Sequence, residues 1–438
     1  MLTGKYSHLN RLRDNREEFD GTQLTFPKLL QSNGYNTAVF GKWHLKSDPT
    51  GFDSWEVLIG QGEYYNPRFK TPDGEIRETG YATDIITDKA IHWLNKRESD
   101  KPFCMLLHHK APHRNWMPPL KYLDKFDDTE FPIPATLFDD YRTREKTAGH
   151  ADMRIADMFL TFDLKLNPAD YAKQTGTGGI KKAGAPRVHY KDILNDEQRK
   201  IWDKHYDKIS KEFNNAQLQG DDLLKWKYQR YMRDYLACIL SVDDNIGRIL
   251  DYLDKHNLAE NTIIIYTSDQ GFYLGEHGWY DKRFMYEESL SMPLVMRYPK
   301  AIKPGQISED IVLNLDFAPT FLDYAGIDIP ADIQGNSFKQ IVQGKTPKDW
   351  RTAMYYHYYE YPHGWHFVKK HYGIRTRQYK LIHFYGEEDI WEFYDLEKDP
   401  HELTNHYNSE KYSEIITFLR NELTNLQEKY KDTDKSTF

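Results

Sequence analysis

The run Ile263-Ile264-Ile265-Tyr266-Thr267 passes straight into Ser268-Asp269-Gln270-Gly271. Three isoleucines and a tyrosine read as a short buried strand, and the polar residues and the glycine end it abruptly. Functional groups therefore fall at the C-terminal end of a strand, where open α/β sheets place their ligands. Asp269 and Gln270 set a carboxylate beside a carbonyl oxygen, Gly271 lets the backbone turn, and Lys282 follows one more glycine-containing loop. An acid, an amide and a lysine suit a hard cation beside an anionic substrate. Taken alone, Asp-Gln-Gly after a strand is more often just a turn.

Two further runs end the same way. Tyr35 to Phe40 has the β-branched and aromatic content of a strand and stops at Gly41-Lys42-Trp43-His44; Phe103 to Leu107 stops at His108-His109-Lys110-Ala111-Pro112-His113. Any one cluster alone is more often a solvated loop. Three at equivalent positions are what one site at a sheet's C-terminal edge requires. Helices are predicted from Thr25 to Asn33, with Pro27 in the first turn and Gly34 at the stop, from Asp84 to Arg97, and from Leu223 to Asn257. Pro293 to Tyr298 reads as a strand, and Ile311 to Tyr324 as a strand or helix start followed by a helix. Residues 48–80 read as a Gly/Tyr/Pro-rich loop. Residues 117–225 read as a polar, irregular insertion over the site, with Gly176 to Gly184 as a flexible loop. Past Gly344 to Asp349, alternating aromatic segments and an amphipathic helix from Ser409 to Tyr430 predict a small α+β domain. The expected class is α/β: a large mixed sheet sandwiched by helices over residues 1–345, then a small C-terminal α+β domain with an antiparallel sheet over 346–438.

A chain of 438 residues accommodates one large domain and a smaller one. Its formal net charge of -8 argues against a nucleic-acid partner while leaving room for a locally basic pocket. Cys104 and Cys238 lie in no metal-ligand spacing and read as small buried hydrophobes rather than as ligands or a disulfide. No apolar run approaches the roughly 20 residues of a membrane span, and no signal-peptide pattern follows Met1. Aromatics make up 15% of the chain, and the loops at Tyr64-Tyr65 and Tyr355 to Trp365 are candidates for stacking on sugar rings. The segment HGWHFVKKH gathers His363, His366, Lys369, Lys370 and His371. It is either an ordinary basic loop or a rim that reads a sugar and its acidic groups, with His366 and His371 as the candidate substrate contacts.

Five blocks in order resemble the type I sulfatases of the alkaline-phosphatase superfamily: GKWHL at 41 to 45, KAPHRNW at 110 to 116, SVDDNIGRILDYL at 241 to 253, SDQGFYLGEHGWYDKRFMYEES at 268 to 289, and the closing YKLI…WEFYDLEKDPHELTN. The resemblance covers essentially the whole chain. GQGEYYNP and HYGIRTRQYKLIHFY are further similar to the branch containing N-acetylglucosamine-6-sulfatases and other glycosaminoglycan sulfatases. The resemblance implies an alkaline-phosphatase-like fold and a sulfuric ester hydrolase acting on sulfated carbohydrate, 6-sulfated N-acetylglucosamine above all. It also implies calcium, a formylglycine nucleophile, and a periplasmic, secreted or lysosomal setting. By the same resemblance Asp269 and Gln270 bind the calcium, Lys42 and Lys282 hold the sulfate oxygens, His44 contacts the nucleophile, and His113 binds sulfate and protonates the leaving alcohol.

One departure accompanies it. The family's formylglycine arises from Cys or Ser at the head of a block ending Leu-Thr-Gly, and only Leu2-Thr3-Gly4 matches. Calcium takes about 6 to 8 oxygens, of which Asp269 and Gln270 supply a few. The expectation is a chain that binds metal poorly and does not turn over as written: a fragment whose Met1 is internal and whose sheet lacks a central strand. The rivals are a non-catalytic sulfated-glycan binder and a phosphatase or phosphodiesterase of the same superfamily, which would need a second Asp/His metal cluster.

Overall fold

The computed structural model describes residues 1–167 and 190–432; Gly176 to Gly184 lies outside them. A five-stranded mixed sheet runs in the order β4-β3-β2-β1-β5, from β1 (Asn36–Lys42), β2 (Ser54–Leu58), β3 (Arg68–Thr71), β4 (Gly74–Arg77) and β5 (Phe103–His108). β1 pairs in parallel with both β2 and β5, and β2, β3 and β4 pair antiparallel. The stretch expected to be a loop between 48 and 80 thus holds three strands. Their short runs, broken by Pro67, Pro72 and Gly74, carry little alternation for a sequence reading to detect.

Helices cover both faces of this sheet. The crossover helix Ala82–Lys96 lays Ile85, Ile86, Ala90 and Leu94 against Phe40, Leu58 and Phe69. On the other side the helices Phe26–Ser32 and Phe317–Ala325 pack Phe26, Leu30 and Leu322 towards Leu106. The helix Gly220–Lys255, 36 residues and about 54 Å long at 1.5 Å per residue, contributes Ile249 and Leu253 to the first of these cores. Its N-terminal half joins a second core with Trp116, Met117, Leu164, Leu166 and the helix Asp196–Ala216. The expected irregular insertion is therefore, where described, largely packed: Trp202, Tyr206 and Phe213 are buried in it. Charged residues between those anchors had masked their helical spacing.

The remaining strands are β6 (Ile264–Thr267), β7 (Tyr273–Leu274), β8 (Tyr280–Asp281), β9 (Leu294–Arg297), β10 (Ala353–Tyr358), β11 (His371–Thr376), β12 (Tyr379–Phe384) and β13 (Ile390–Asp395). β6 pairs only with β9 among the described residues. This corrects the expected burial of that strand: Tyr266 is 39% and Val295 62% exposed, because no described strand covers the second edge of either. β5, half-buried along its length, and β6 instead line one large crevice of about 2440 Å³. The antiparallel sheet β10-β11-β12-β13 buries Ile374, Leu381 and Phe393 under the helix Ser413–Lys429. Its other face packs Ile382, Phe384 and Tyr394 on Phe284, Met285 and Tyr286, just after Lys282. That contact anchors the loop carrying the lysine.

Gly41 fixes how closely β1 and β5 approach. Its φ is +101°, and a Cβ there would collide with the carbonyl oxygen of His108. Gly41→Ala adds backbone strain to that clash and is expected to cost about 3 kcal/mol or more of stability, at the high end for one substitution. Urea denaturation measures it; a midpoint equal to that of the unaltered chain would show that the two strands can separate without penalty.

Candidate functional site

All three strand ends predicted to converge do so. Lys42 closes β1, His113 follows β5, Asp269 and Gln270 follow β6, and these with His44 and Lys282 line the same crevice. Sequence reasoning left out one member of the group. Lys110 is buried, with its Nζ 3.1 Å from the carbonyl oxygen of Gln61 and 4.7 Å from the centre of the Tyr64 ring. Its place in the His-His-Lys run after β5 was the signal available; its orientation was not.

The cations perturb one another. Burial first, and then the charge of Lys282, push Lys42 down to about 8, against the pull of Asp269 and Asp281. Burial and then Lys42 push Lys110 down to about 7. His44 lies below the ordinary imidazole value through burial and then the charges of Lys42, Lys110 and Lys282. His113 is held well below it by burial and the same three lysines. Lysines brought close enough to lower one another's proton affinity, without a carboxylate for each, form a site suited to an anion.

The imidazole of His113 is oriented by its own backbone neighbourhood: Nδ1 donates to the Arg114 carbonyl oxygen at 2.7 Å. Its carbonyl oxygen in turn accepts from the Tyr64 hydroxyl at 2.6 Å. With Nδ1–H engaged, Nε2 is the nitrogen left for a ligand. Lys282 sits with its Nζ 3.3 Å from the carboxylate of Asp281. Asp281 itself is buried and forms an ion pair with Arg283, Nη1 to Oδ2 at 2.9 Å. Burial raises its pKa, but Arg283 and Lys282 outweigh that and hold the carboxyl well below its ordinary range.

His366 and His371 are not brought into this group. His366 Nε2 is 3.0 Å from Asp281 Oδ2 and Nδ1 is 3.1 Å from the Asp152 carbonyl oxygen. His371 is buried, with Nε2 accepting from the Met285 N–H at 3.2 Å and Nδ1 donating to the Lys369 carbonyl oxygen at 2.8 Å. Both turn inward and hold the Asp281–Met285 segment instead of lining the crevice, because β11 directs His371 towards the core shared with Phe284. A run of histidines and lysines does not announce which way its backbone faces.

A calcium ion does not fit the described residues by themselves. Asp269 is exposed and Gln270 half-buried, and together they offer up to three of the six to eight oxygens such an ion takes. Among the described residues no three His, Cys, Asp or Glu side chains are grouped to hold a metal. The thiols of Cys104 and Cys238 are free and pushed up to about 12 by burial, so they remain protonated and inert. No described helix is long and apolar enough to cross a membrane.

Sheet, helical layers and strand-end cations together define an α/β protein with a cation-lined crevice at its strand ends. The solved phosphonate monoester hydrolase of Silicibacter pomeroyi shares that fold at a TM-score of 0.69 and 18% identity, covering 99% of this chain and 86% of that one. The profile of the family described as Sulfatase matches residues 1–327, and that described as N-sulphoglucosamine sulphohydrolase, C-terminal, matches residues 275–429. The chain belongs to the sulfatase family. It is 53% identical over 440 residues to the N-acetylglucosamine-6-O-sulfatase of Bacteroides thetaiotaomicron, covering 99% of this chain and 77% of that protein. A solved structure in complex with its substrate D-glucosamine-2-N,6-O-disulfate superposes at a TM-score of 0.93 with 52% identity, covering 99% of this chain and 87% of that one. The human N-acetylglucosamine-6-sulfatase is 26% identical over 387 residues, covering 82% of this chain and 58% of that protein.

Proposed function

We propose that this sulfatase removes the 6-O-sulfate of glucosamine units, N-acetylated or N-sulfated, in a sulfated carbohydrate. The observation that carries the reading is the convergence of Lys42, Lys110 and Lys282 around His113 in one crevice. The similarity to proteins named for, or bound to, 6-sulfated glucosamine supplies the substrate class.

Lys42 and Lys282 take the nonbridging sulfate oxygens. As the ester O–S bond breaks, the sulfuryl group passes to an attacking oxygen nucleophile and finally to water as free sulfate, charge develops on the leaving sugar oxygen, and cations fixed beside it lower the barrier. Burial and then the charges of Lys282, Lys42 and Lys110 keep His113 neutral in the free site; a bound sulfate ester offsets the lysines' charge and raises the proton affinity of Nε2. The imidazolium then gives that proton to the leaving oxygen, which departs as the alcohol. His44, which lines the same crevice, would contact the attacking nucleophile. Were calcium bound, Asp269 and Gln270 would supply up to three of its oxygens, and no step above is routed through it.

A second reading, a sulfated-glycan binder without turnover, is favoured by that incomplete donor set. Incubating the protein with 6-O-sulfated N-acetylglucosamine and calcium, and measuring free sulfate, separates the two. Sulfate release is the result expected on the hydrolase reading, whereas the expectation drawn from the sequence, that the chain does not turn over as written, predicts none. Saturable glycan binding with no release would replace hydrolysis by binding alone.

A further inference from the structure

The aromatic loops that looked suited to sugar stacking do not behave alike in the fold. Tyr64, Tyr65 and Tyr355 are 1%, 2% and 2% exposed, their rings taken up by the interior. Trp365 is 53% exposed and lines the same crevice as Lys42 and Lys282. An indole left half-open in this crevice forgoes the burial that usually claims a tryptophan.

Its position is nevertheless fixed. The Arg114 guanidinium lies 5.5 Å from the indole ring centre. Arg114 is in turn clamped by Asp163, Nε to Oδ1 and Nη2 to Oδ2 at 2.7 Å each, and lies 5.1 Å from the Tyr280 ring centre. The next residue, His366, is held by Asp281 and by the Asp152 carbonyl oxygen. Asp281 immediately precedes Lys282. The indole is thus tied, through one side chain and one carboxylate, to the residue proposed to grip the sulfate. Rigid aromatic surface of this kind costs a ligand little ordering entropy.

We propose that Trp365 is the platform on which the substrate's pyranose ring stacks while its sulfate sits at Lys42 and Lys282. A glucosamine ring with equatorial substituents presents a face of axial C–H bonds, apolar enough to lie on an indole. Trp365 then selects for a sugar as the bearer of the sulfate; the lysines recognise the anion whatever carries it. This inference rests on the sulfated-sugar reading above.

The test is an NMR titration of the whole chain, Trp365→Ala and Trp365→Phe with two ligands, inorganic sulfate and 6-O-sulfated N-acetylglucosamine. Trp365→Ala is expected to weaken the sugar about tenfold or more, the loss typical of a buried aromatic contact, and to leave inorganic sulfate within about twofold. Trp365→Phe is expected to recover most of the sugar affinity. Unchanged sugar affinity in Trp365→Ala beside intact sulfate binding overturns the platform alone. Equal weakening of both ligands overturns it too, since the tryptophan would then only support the loop. If the unaltered chain binds neither ligand, the anion site fails and the platform with it.

Discussion

Lys282→Ala is expected to lower kcat/KM for sulfate-ester hydrolysis by about 10² to 10³, or roughly 3 to 4 kcal/mol of transition-state stabilisation, while leaving the fold intact. Lys282 reaches the crevice from a loop anchored by Phe284, Met285 and Tyr286 in the core, so its ammonium is dispensable for packing. A pH measurement distinguishes loss of charge from general damage. In the unaltered protein Lys110 loses its proton near pH 7 and Lys42 near pH 8; affinity for inorganic sulfate should fall as pH rises through that window. Lys282 is the second cause, after burial, of the depression at Lys42. Its removal lets Lys42 stay charged to higher pH, and the later part of the fall-off moves up. Undiminished turnover, or a pH profile that does not move, would remove Lys282 from the anion site.

Asp281→Asn is expected to destabilise the folded chain by about 3 to 5 kcal/mol, the cost of leaving a buried cation without its partner. Arg283, whose side chain is 12% exposed, pairs with Asp281 at 2.9 Å, and His366 leans on the same carboxylate at 3.0 Å. Asparagine tolerates the left-handed backbone that Asp281 adopts at φ +78°, so the substitution isolates the charge. The pH sign follows from the depressed carboxyl: its stabilisation is present above the ordinary aspartate value of 3.8 and fades as pH falls through the lower folded value. Chemical denaturation at pH 7 and at pH 3 should show the variant's deficit shrinking in acid. A deficit equal at both pH values would mean that the substituted amide fails sterically, with charge irrelevant.

These two results bear on different parts of one arrangement. Lys282 lines the crevice; Asp281 is buried and sets where Lys282 begins. The turn before β11, through His366, and β11, through His371, support that arrangement from behind. Such coupling joins the two halves of the chain more tightly than a boundary near residue 345 would imply, since Phe284, Tyr286, Ile382 and Tyr394 share one core.

Much of the site was legible because strand periodicity and its abrupt end are local properties. Ile263–Gly271, Tyr35–His44 and Phe103–His113 each state in a few residues that an apolar strand stops at a polar cluster; β1 and β5 pair in parallel and bring their ends to one edge, and β6, paired antiparallel with β9, ends at the same crevice. The long helix over Gly220–Lys255 was equally plain, since apolar residues recur on one face for about ten turns. The short strands β2, β3 and β4 were not: four or five residues with half-exposed faces carry too little pattern.

Sequence by itself thus determined which residues stand at the strand ends, and with them the class of chemistry. Tertiary structure alone decided which way the polar side chains turn. It swung Lys110 into the crevice, buried Tyr64 and Tyr65, turned His366 and His371 inward, and left Trp365 half-open in the crevice. The reason is physical: residue type and spacing set local conformation, but burial, charge coupling and side-chain direction depend on what packs opposite, often a hundred or more residues away.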